Sequence, residues 1–250
     1  MRRICETLKE HDVKATFYVL GWLARRKPQL LRAINAAGHE IGSHSYWHRQ
    51  VFRLTPTQFR ADLRRSQRVI EDAIGKPVTT YRAPSFSITK RSLWALNVLA
   101  EEGITTDSSV YPVRHDRYGI PGAPLTLHKI ATSAGTLWEM PPAVYGVGRM
   151  RFPVGGGGYF RLYPWQWTRV ALQRINNAGC AFACYFHPWE FDPDQPRLNA
   201  GGWTSRRRHY ANLHTTHEKF RRLLASFSFG RIADVVAAQA CLPDAATVAA

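Results

Sequence analysis

Two histidines four residues apart, in His44-Ser45-Tyr46-Trp47-His48, are the first groups in the chain able to do chemistry. On a helical turn that spacing puts both rings on one face, where two nitrogens can reach one ion at ~2.0–2.1 Å. The pair equally suits two stacking histidines beside Tyr46 and Trp47. Ser45 stands where His-Glu-x-x-His has its glutamate, so the zinc-protease pattern is absent. Arg82 lies in Tyr81-Arg82-Ala83-Pro84-Ser85, where Pro84 keeps Ala83 extended. An always-charged guanidinium there suits either fixing a carboxylate or a surface position before a turn. His187 ends an apolar run and precedes Pro188-Trp189. That setting fits a satisfied structural histidine or a general acid tuned by aromatic neighbours. Asp107 reads as a turn or capping residue, or as a functional one.

Other chemistries are excluded. There is no Gly-x-Ser-x-Gly elbow. Gly155–Gly158 is not followed by Gly-Lys-Ser/Thr and reads as a tight loop rather than a phosphate cradle. Cys5, Cys180, Cys184 and Cys241 form no Cys-x-x-Cys pair and no nucleophile signature. Cys180 and Cys184, in an apolar run, read as buried packing residues.

The elements around these residues follow one plan: helix, glycine, short strand, polar residue. Pro28 opens a helix that Gly38 stops, and His39–Ser43 follows as a strand ending at His44. Thr55, Pro56 and Gln58 spell a capping box. The helix behind it carries Phe59, Leu63, Ile70 and Ile74 to Gly75. Val78–Tyr81 then leads to Arg82. A third helix, from about Lys90 to Gly103, precedes the strand Ile104–Thr106 and Asp107. A fourth, from Pro164 to Gly179, precedes the strand Cys180–Phe186 and His187.

Such alternation predicts parallel strands with helical crossovers, as a barrel or a doubly wound sheet. Function then collects at the carboxyl ends of the strands, where His44, Arg82, Asp107 and His187 all fall. Between Pro112 and Gly158 the rhythm breaks into loops and two strands, Leu127–Ile130 and Leu137–Met140. Helices follow near 208–226 and 230–240.

With 45% hydrophobic and 21% charged residues the chain is globular. No run of 18 apolar residues predicts an integral membrane segment. The excess of basic over acidic residues, 34 − 18 = +16, predicts attraction to polyanions such as acidic polysaccharide, anionic headgroups or nucleic acid. Part of it sits in Arg25-Arg26-Lys27, Arg64-Arg65 and Arg206-Arg207-Arg208, which also read as solvated faces. Basic residues at the start lack an apolar stretch behind them, so the default expectation is a cytoplasmic chain.

Taken in order, the motifs resemble the polysaccharide deacetylases (carbohydrate esterase family four). They are Ala15–Gly21, Gly38–His48, Tyr81–Ser85 and Phe186–Glu190. Asp107–Ser109 and Gly155–Phe160 point to the branch linked to bacterial exopolysaccharide and exosortase loci. The resemblance covers about residues 3–240. It implies an α/β fold, the distorted (β/α)7 barrel, in one domain over 1–240 with a frayed tail over 241–250. It also implies metal-assisted water attack on the acetamide of an N-acetylated, conceivably anionic, polysaccharide. His44 and His48 would be metal ligands, and His187 would protonate the leaving amine. Arg82 would orient the catalytic base. Pro84, Ser85, Trp189 and Asp107 would contact substrate.

In one respect the sequence departs from the family. The first strand, with the Asp motif that supplies the base and the third metal ligand, has no counterpart ahead of Arg2–Val13. Asp12 precedes a strand and cannot substitute. The expectation is therefore a divalent metal, zinc by resemblance, weakly held for want of that ligand, and impaired activity. A non-catalytic carbohydrate-binding descendant keeping the rim of Tyr46, Trp47 and Trp189 is the alternative. A nucleic-acid-binding protein is disfavoured, because the charges are dispersed and no binding motif is present.

Overall fold

The computed structural model describes residues 1–115, 118–198, 202–240 and 247–249. The elements begin with α1 (Arg2–Glu10), β1 (Thr16–Val19), α2 (Gly21–Arg26), α3 (Pro28–Ala36) and β2 (Glu40–Ser43). Next come α4 (Pro56–Ile74), β3 (Thr80–Tyr81), α5 (Trp94–Glu101), β4 (Thr106–Asp107), β5 (His128–Thr132) and β6 (Gly135–Glu139). Then follow β7 (Val144–Val147), β8 (Met150–Pro153), α6 (Gly157–Leu162) and α7 (Trp165–Asn177). The last are α8 (Trp203–Tyr210), α9 (Leu213–Ser226), α10 (Ile232–Ala240) and β9 (Thr247–Ala249). They form two compact units, residues 14–141 with 230–250, and residues 1–13 with 142–229.

The first unit is an α/β sheet in the order β1-β2-β3-β4-β6-β5-β9. Its pairs are parallel except β5 with β6. This is the mostly parallel α/β class expected from the alternation. Its registers align Val19, Ser43, Tyr81, Asp107 and Glu139 in one row across five strands. His44, Arg82 and Ser108 therefore leave neighbouring strands at one level. Tight strand pairing between β1 and β2 needs Gly42, where a Cβ would lie 2.5 Å from Thr80 Oγ1 and 2.9 Å from the Tyr18 ring.

Helix α4 backs this row. The capping box forms as expected: Gln58 N–H donates to Thr55 Oγ1 (3.2 Å), and Thr55 N–H donates to Gln58 Oε1 (3.0 Å). Gly75 ends the helix at φ +69°, a conformation that other residues adopt at a cost. Phe59 and Leu63 pack with Tyr81, Leu96 and Leu99, while Ile70 packs with Leu31, Ile34 and Ile41. Truncating Leu63, fully buried, to Ala would cost roughly 2–5 kcal/mol. The same buried face carries two polar groups, Asp62 and Ser66. At the far edge, Thr16 Oγ1 donates to Glu40 Oε2 (2.5 Å). These side chains accept the first backbone N–H groups of α10: Ile232 N on Thr16 Oγ1 (2.8 Å) and Ala233 N on Glu40 Oε2 (3.2 Å).

The second unit packs the β7–β8 hairpin and helices α6, α7 and α9 around Val154, Phe160, Leu172 and Leu223. Lys219 closes the end of α6, donating to the carbonyls of Phe160, Arg161 and Tyr163 at 2.8–3.3 Å.

Several sequence expectations are corrected here. The strand expected over Cys180–Phe186 is reduced to two isolated bridges, Pro142 with Ala183 and Gly156 with Tyr185. Pro142 has no N–H with which to extend the ladder. Cys180 and Cys184 are only partly enclosed, and of the two Cys184 packs against the core as expected. The tight loop expected over Gly155–Gly158 is confined to its first half, between β8 and α6. A Cβ on Gly156 would lie 2.0 Å from Tyr185 O, so the glycines admit a close backbone approach, and Gly157 begins α6. The third helix starts at Trp94 rather than Lys90, because Ser92 Oγ accepts from Thr89 N and holds a turn ahead of it. In the tail, Thr247–Ala249 pair with β5 instead of fraying; 241–246 and 250 lie outside the described residues. No helix is long and apolar enough to cross a membrane among the described residues.

Candidate active site

His44 follows β2 directly, and its backbone N–H donates to Val19 O (2.9 Å). Its Nδ1 lies 2.6 Å from Arg82 O and donates to it, which orients the ring and leaves Nε2 as the nitrogen that a metal would take. His48 reaches it without a helix, correcting the expected helical turn. Ser45 (φ +65°) and His48 (φ +60°) are both left-handed, and they fold the loop until the imidazoles stand 5.2 Å apart at 71°. Such residues are held only by their surroundings.

Those surroundings come from α2 and α4. Gly21 N–H donates to Ser45 O (3.0 Å), and a Cβ on Gly21 would come within 2.6 Å of the Tyr46 ring. Asp62, 5% exposed, accepts from Tyr46 N (2.6 Å) and lies 3.6 Å from the Arg49 guanidinium. Ser66 Oγ donates to Ser45 O (3.2 Å) and accepts from Ser43 Oγ (2.8 Å). Sequence reading missed Asp62 and Ser66. The signal was there: two polar residues on the apolar stripe of an amphipathic helix.

Arg82 is half-buried. Its Nε donates to Ser108 O (3.1 Å) and its Nη2 to Ser108 Oγ (2.6 Å). Its guanidinium lies 4.6 Å from the centre of the Tyr18 ring. Ser108 Oγ passes the contact on to Met140 O (2.5 Å). Pro84 is buried at the start of a 3-10 turn, and exposed Ser85 (φ +54°) follows it. Ser85 and His48 line a cavity of about 510 Å³ with Arg49 and Arg53.

Asp107, expected to touch substrate, is instead fully enclosed. Its Oδ1 accepts from Ser109 Oγ (2.5 Å), which in turn accepts from Ala83 N (2.7 Å). The group thus anchors the Arg82–Pro84 turn from beneath. Its partner is Glu139, also without exposed surface and not singled out by sequence. Burial pushes Asp107 up to about 6. Burial, then the Asp107 charge, hold Glu139 well above the usual carboxylate range.

In the second unit, His187 is half-exposed and its Nδ1 donates to Glu190 Oε1 (2.8 Å). Glu190 is fully buried, with Arg161 Nε 3.6 Å from its Oε2. A buried carboxylate on Nδ1 fixes the tautomer and presents Nε2 for proton transfer. Trp189 stacks on the His187 ring at 5.8 Å and on His209 at 4.1 Å. The structure thus brings His44, His48, Arg82, Pro84 and Ser85 together in the first unit, and His187 with Trp189 in the second.

His44 and His48 offer two imidazoles. Among the described residues no group of three His, Cys, Asp or Glu side chains could hold an ion. A catalytic zinc usually has three protein ligands. The pair alone does not make a catalytic metal centre.

Comparison with known proteins gives the class. Residues 1–105 match the polysaccharide deacetylase family, and residues 108–237 match a domain of unknown function (DUF3473). The first 105 residues thus belong to the polysaccharide deacetylase family, and the DUF3473 match takes up just over half of the chain. The chain is 34% identical over 88 residues to the peptidoglycan-N-acetylglucosamine deacetylase PgdA of Listeria monocytogenes, covering 35% of this chain and 19% of that protein. With a peptidoglycan-N-acetylglucosamine deacetylase of Bacillus cereus it shares 25% over 138 residues, half of each chain. The chain thus spans a fifth to a half of these relatives. A candidate polysaccharide deacetylase of Mycobacterium smegmatis has the same fold: TM-score 0.66, 20% identity, 99% of this chain and 80% of that one.

Proposed function

We propose that this protein hydrolyses the acetamide of an N-acetylated polysaccharide, releasing acetate and leaving the free amine on the sugar. The observation that carries this reading is the imidazole pair at the end of β2, oriented by the Arg82 carbonyl. Arg82 belongs to the deacetylase motif Tyr81–Ser85. Amide hydrolysis also needs a proton for the departing nitrogen, because an amide anion is too basic to leave. His187 is suited to give it, with Glu190 holding Nδ1 and so orienting the ring, and Trp189 shielding one ring face. The family-level expectation of a divalent cofactor translates here into weak binding by His44 and His48. The exopolysaccharide-linked branch and a cytoplasmic location belong to the same proposal.

The test is acetate release from a chito-oligosaccharide, with zinc added and with chelator. Release that disappears in His187→Ala supports the reading. Zinc-loaded protein that binds the oligomer and releases no acetate refutes it, and leaves a non-catalytic carbohydrate-binding protein.

A further inference from the structure

We propose that the second unit carries a binding site for an acidic sugar residue, a uronate, built on α8. The site deepens the deacetylase reading and rests on it for the polymer class. A cavity of about 700 Å³ opens beside α8, with Arg197, Arg206, Arg207, Trp203, Tyr210 and Leu198 among its lining. No Asp or Glu is among its described lining residues. The Arg207 guanidinium lies 5.2 Å from the centre of the Trp203 ring, and that of Arg197 lies 5.7 Å from the centre of the Tyr210 ring. Trp203 is 64% exposed. Arginines and an exposed indole lining one cavity make a composite surface. The planar N–H forks match a carboxylate. The indole face matches the apolar C–H face of a pyranose. A uronate carries both groups on one ring.

The site is braced from inside. Arg161, 3% exposed, donates to the carbonyls of Arg208, His209 and Ala211, and so holds the end of α8. Tyr210 Oη accepts from Leu198 N (2.8 Å) and donates to Pro196 O (3.3 Å), which fixes the segment bearing Arg197. His209 meets Gln195 Oε1 at 3.0 Å, and Gln195 Nε2 donates to Trp189 O (2.8 Å). The same scaffold therefore carries the cavity and the Pro188–Phe191 turn next to His187. A nucleic acid is the weaker fit, since single strands call for a groove with successive stacking rings.

Titration calorimetry on the full chain, with tetragalacturonate, chitotetraose and oligouridylate as probes, tests the assignment. Tetragalacturonate should bind more tightly than the other two, and less tightly as salt rises. In Arg206→Ala/Arg207→Ala its affinity should fall about tenfold or more, the loss of one or two charge-assisted contacts. Trp203→Ala should weaken it too, and circular dichroism should show each variant folded. Equal binding of chitotetraose, tighter binding of oligouridylate, no uronate binding, or an unaltered double variant would each overturn the proposal. Acetate release from chito-oligosaccharide, measured in parallel, keeps the two readings apart. Its absence sinks the deacetylase and leaves the uronate site, and the reverse result does the opposite.

Discussion

Asp107 and Glu139 face each other across the β4–β6 ladder, and both are closed off from solvent. Asp107 Oδ2 and Glu139 Oε2 find no hydrogen-bond donor, while Tyr18 and Arg82 supply the nearby polar surroundings. Two enclosed carboxyls paired across a ladder do not both ionise readily, and both are accordingly shifted towards the protonated form.

Stability should record that shift. In the folded state Asp107 is pushed up to about 6 and Glu139 is held well above the usual carboxylate range, against ~4 for an unfolded carboxyl. The folded chain therefore binds more protons than the unfolded chain above pH ~4, and Asp107 withdraws stability as pH rises from there through about 6. Asp107→Asn should flatten that part of the Tm-against-pH curve. A variant curve parallel to the parent's between pH 4 and 8 would contradict the shift at Asp107.

A two-imidazole site should bind zinc weakly. His44→Ala should reduce zinc affinity by about tenfold or more, and Trp47→Ala should leave it unchanged. Calorimetry checks this; unchanged stoichiometry and affinity in His44→Ala would remove His44 from the ligand set.

His187 and Glu190 should separate by readout. His187→Ala should lower acetate release about 10²–10⁴-fold with little change in Tm, since its ring is half-exposed. Glu190→Gln should lower both. It misorients His187 and leaves the buried Arg161 uncompensated, at a cost of about 3–5 kcal/mol. Thermal melts beside turnover assays distinguish them.

Asp62→Ala should loosen the histidine loop. It strands Tyr46 N and removes the partner of Arg49, worth about 1–3 kcal/mol. Faster amide exchange at residues 44–48 is the expected signature, and protection equal to the parent's would count against it.

The sequence made α4 legible because Thr55, Gln58 and Gly75 act locally, within a turn of their own backbone. His44, Arg82 and Asp107 could be placed at strand ends because a strand following a glycine stop is also a local signal. Glu139 and Glu190 were not legible as partners. Glu139 acquires its role from a residue on another strand, and spacing along the chain carries no trace of that; Glu190 stands three residues from His187, but its burial against Arg161 comes from a distant helix. The Gly155–Gly158 run misled for the same reason: only the approach of Ala183 and Tyr185 explains why side chains are missing there. The convergence of His44 and His48 was anticipated, but the route was not, since two left-handed residues are stabilised by α2 and α4 rather than by their own sequence.

Helix α10 takes its opening hydrogen bonds from Thr16 and Glu40, 216 and 193 positions upstream of its own Ile232 and Ala233. During synthesis β1 and β2 leave the ribosome long before that helix exists. Its receptor can thus be assembled and waiting, and the sheet unit is completed only when residues 232 onward have emerged.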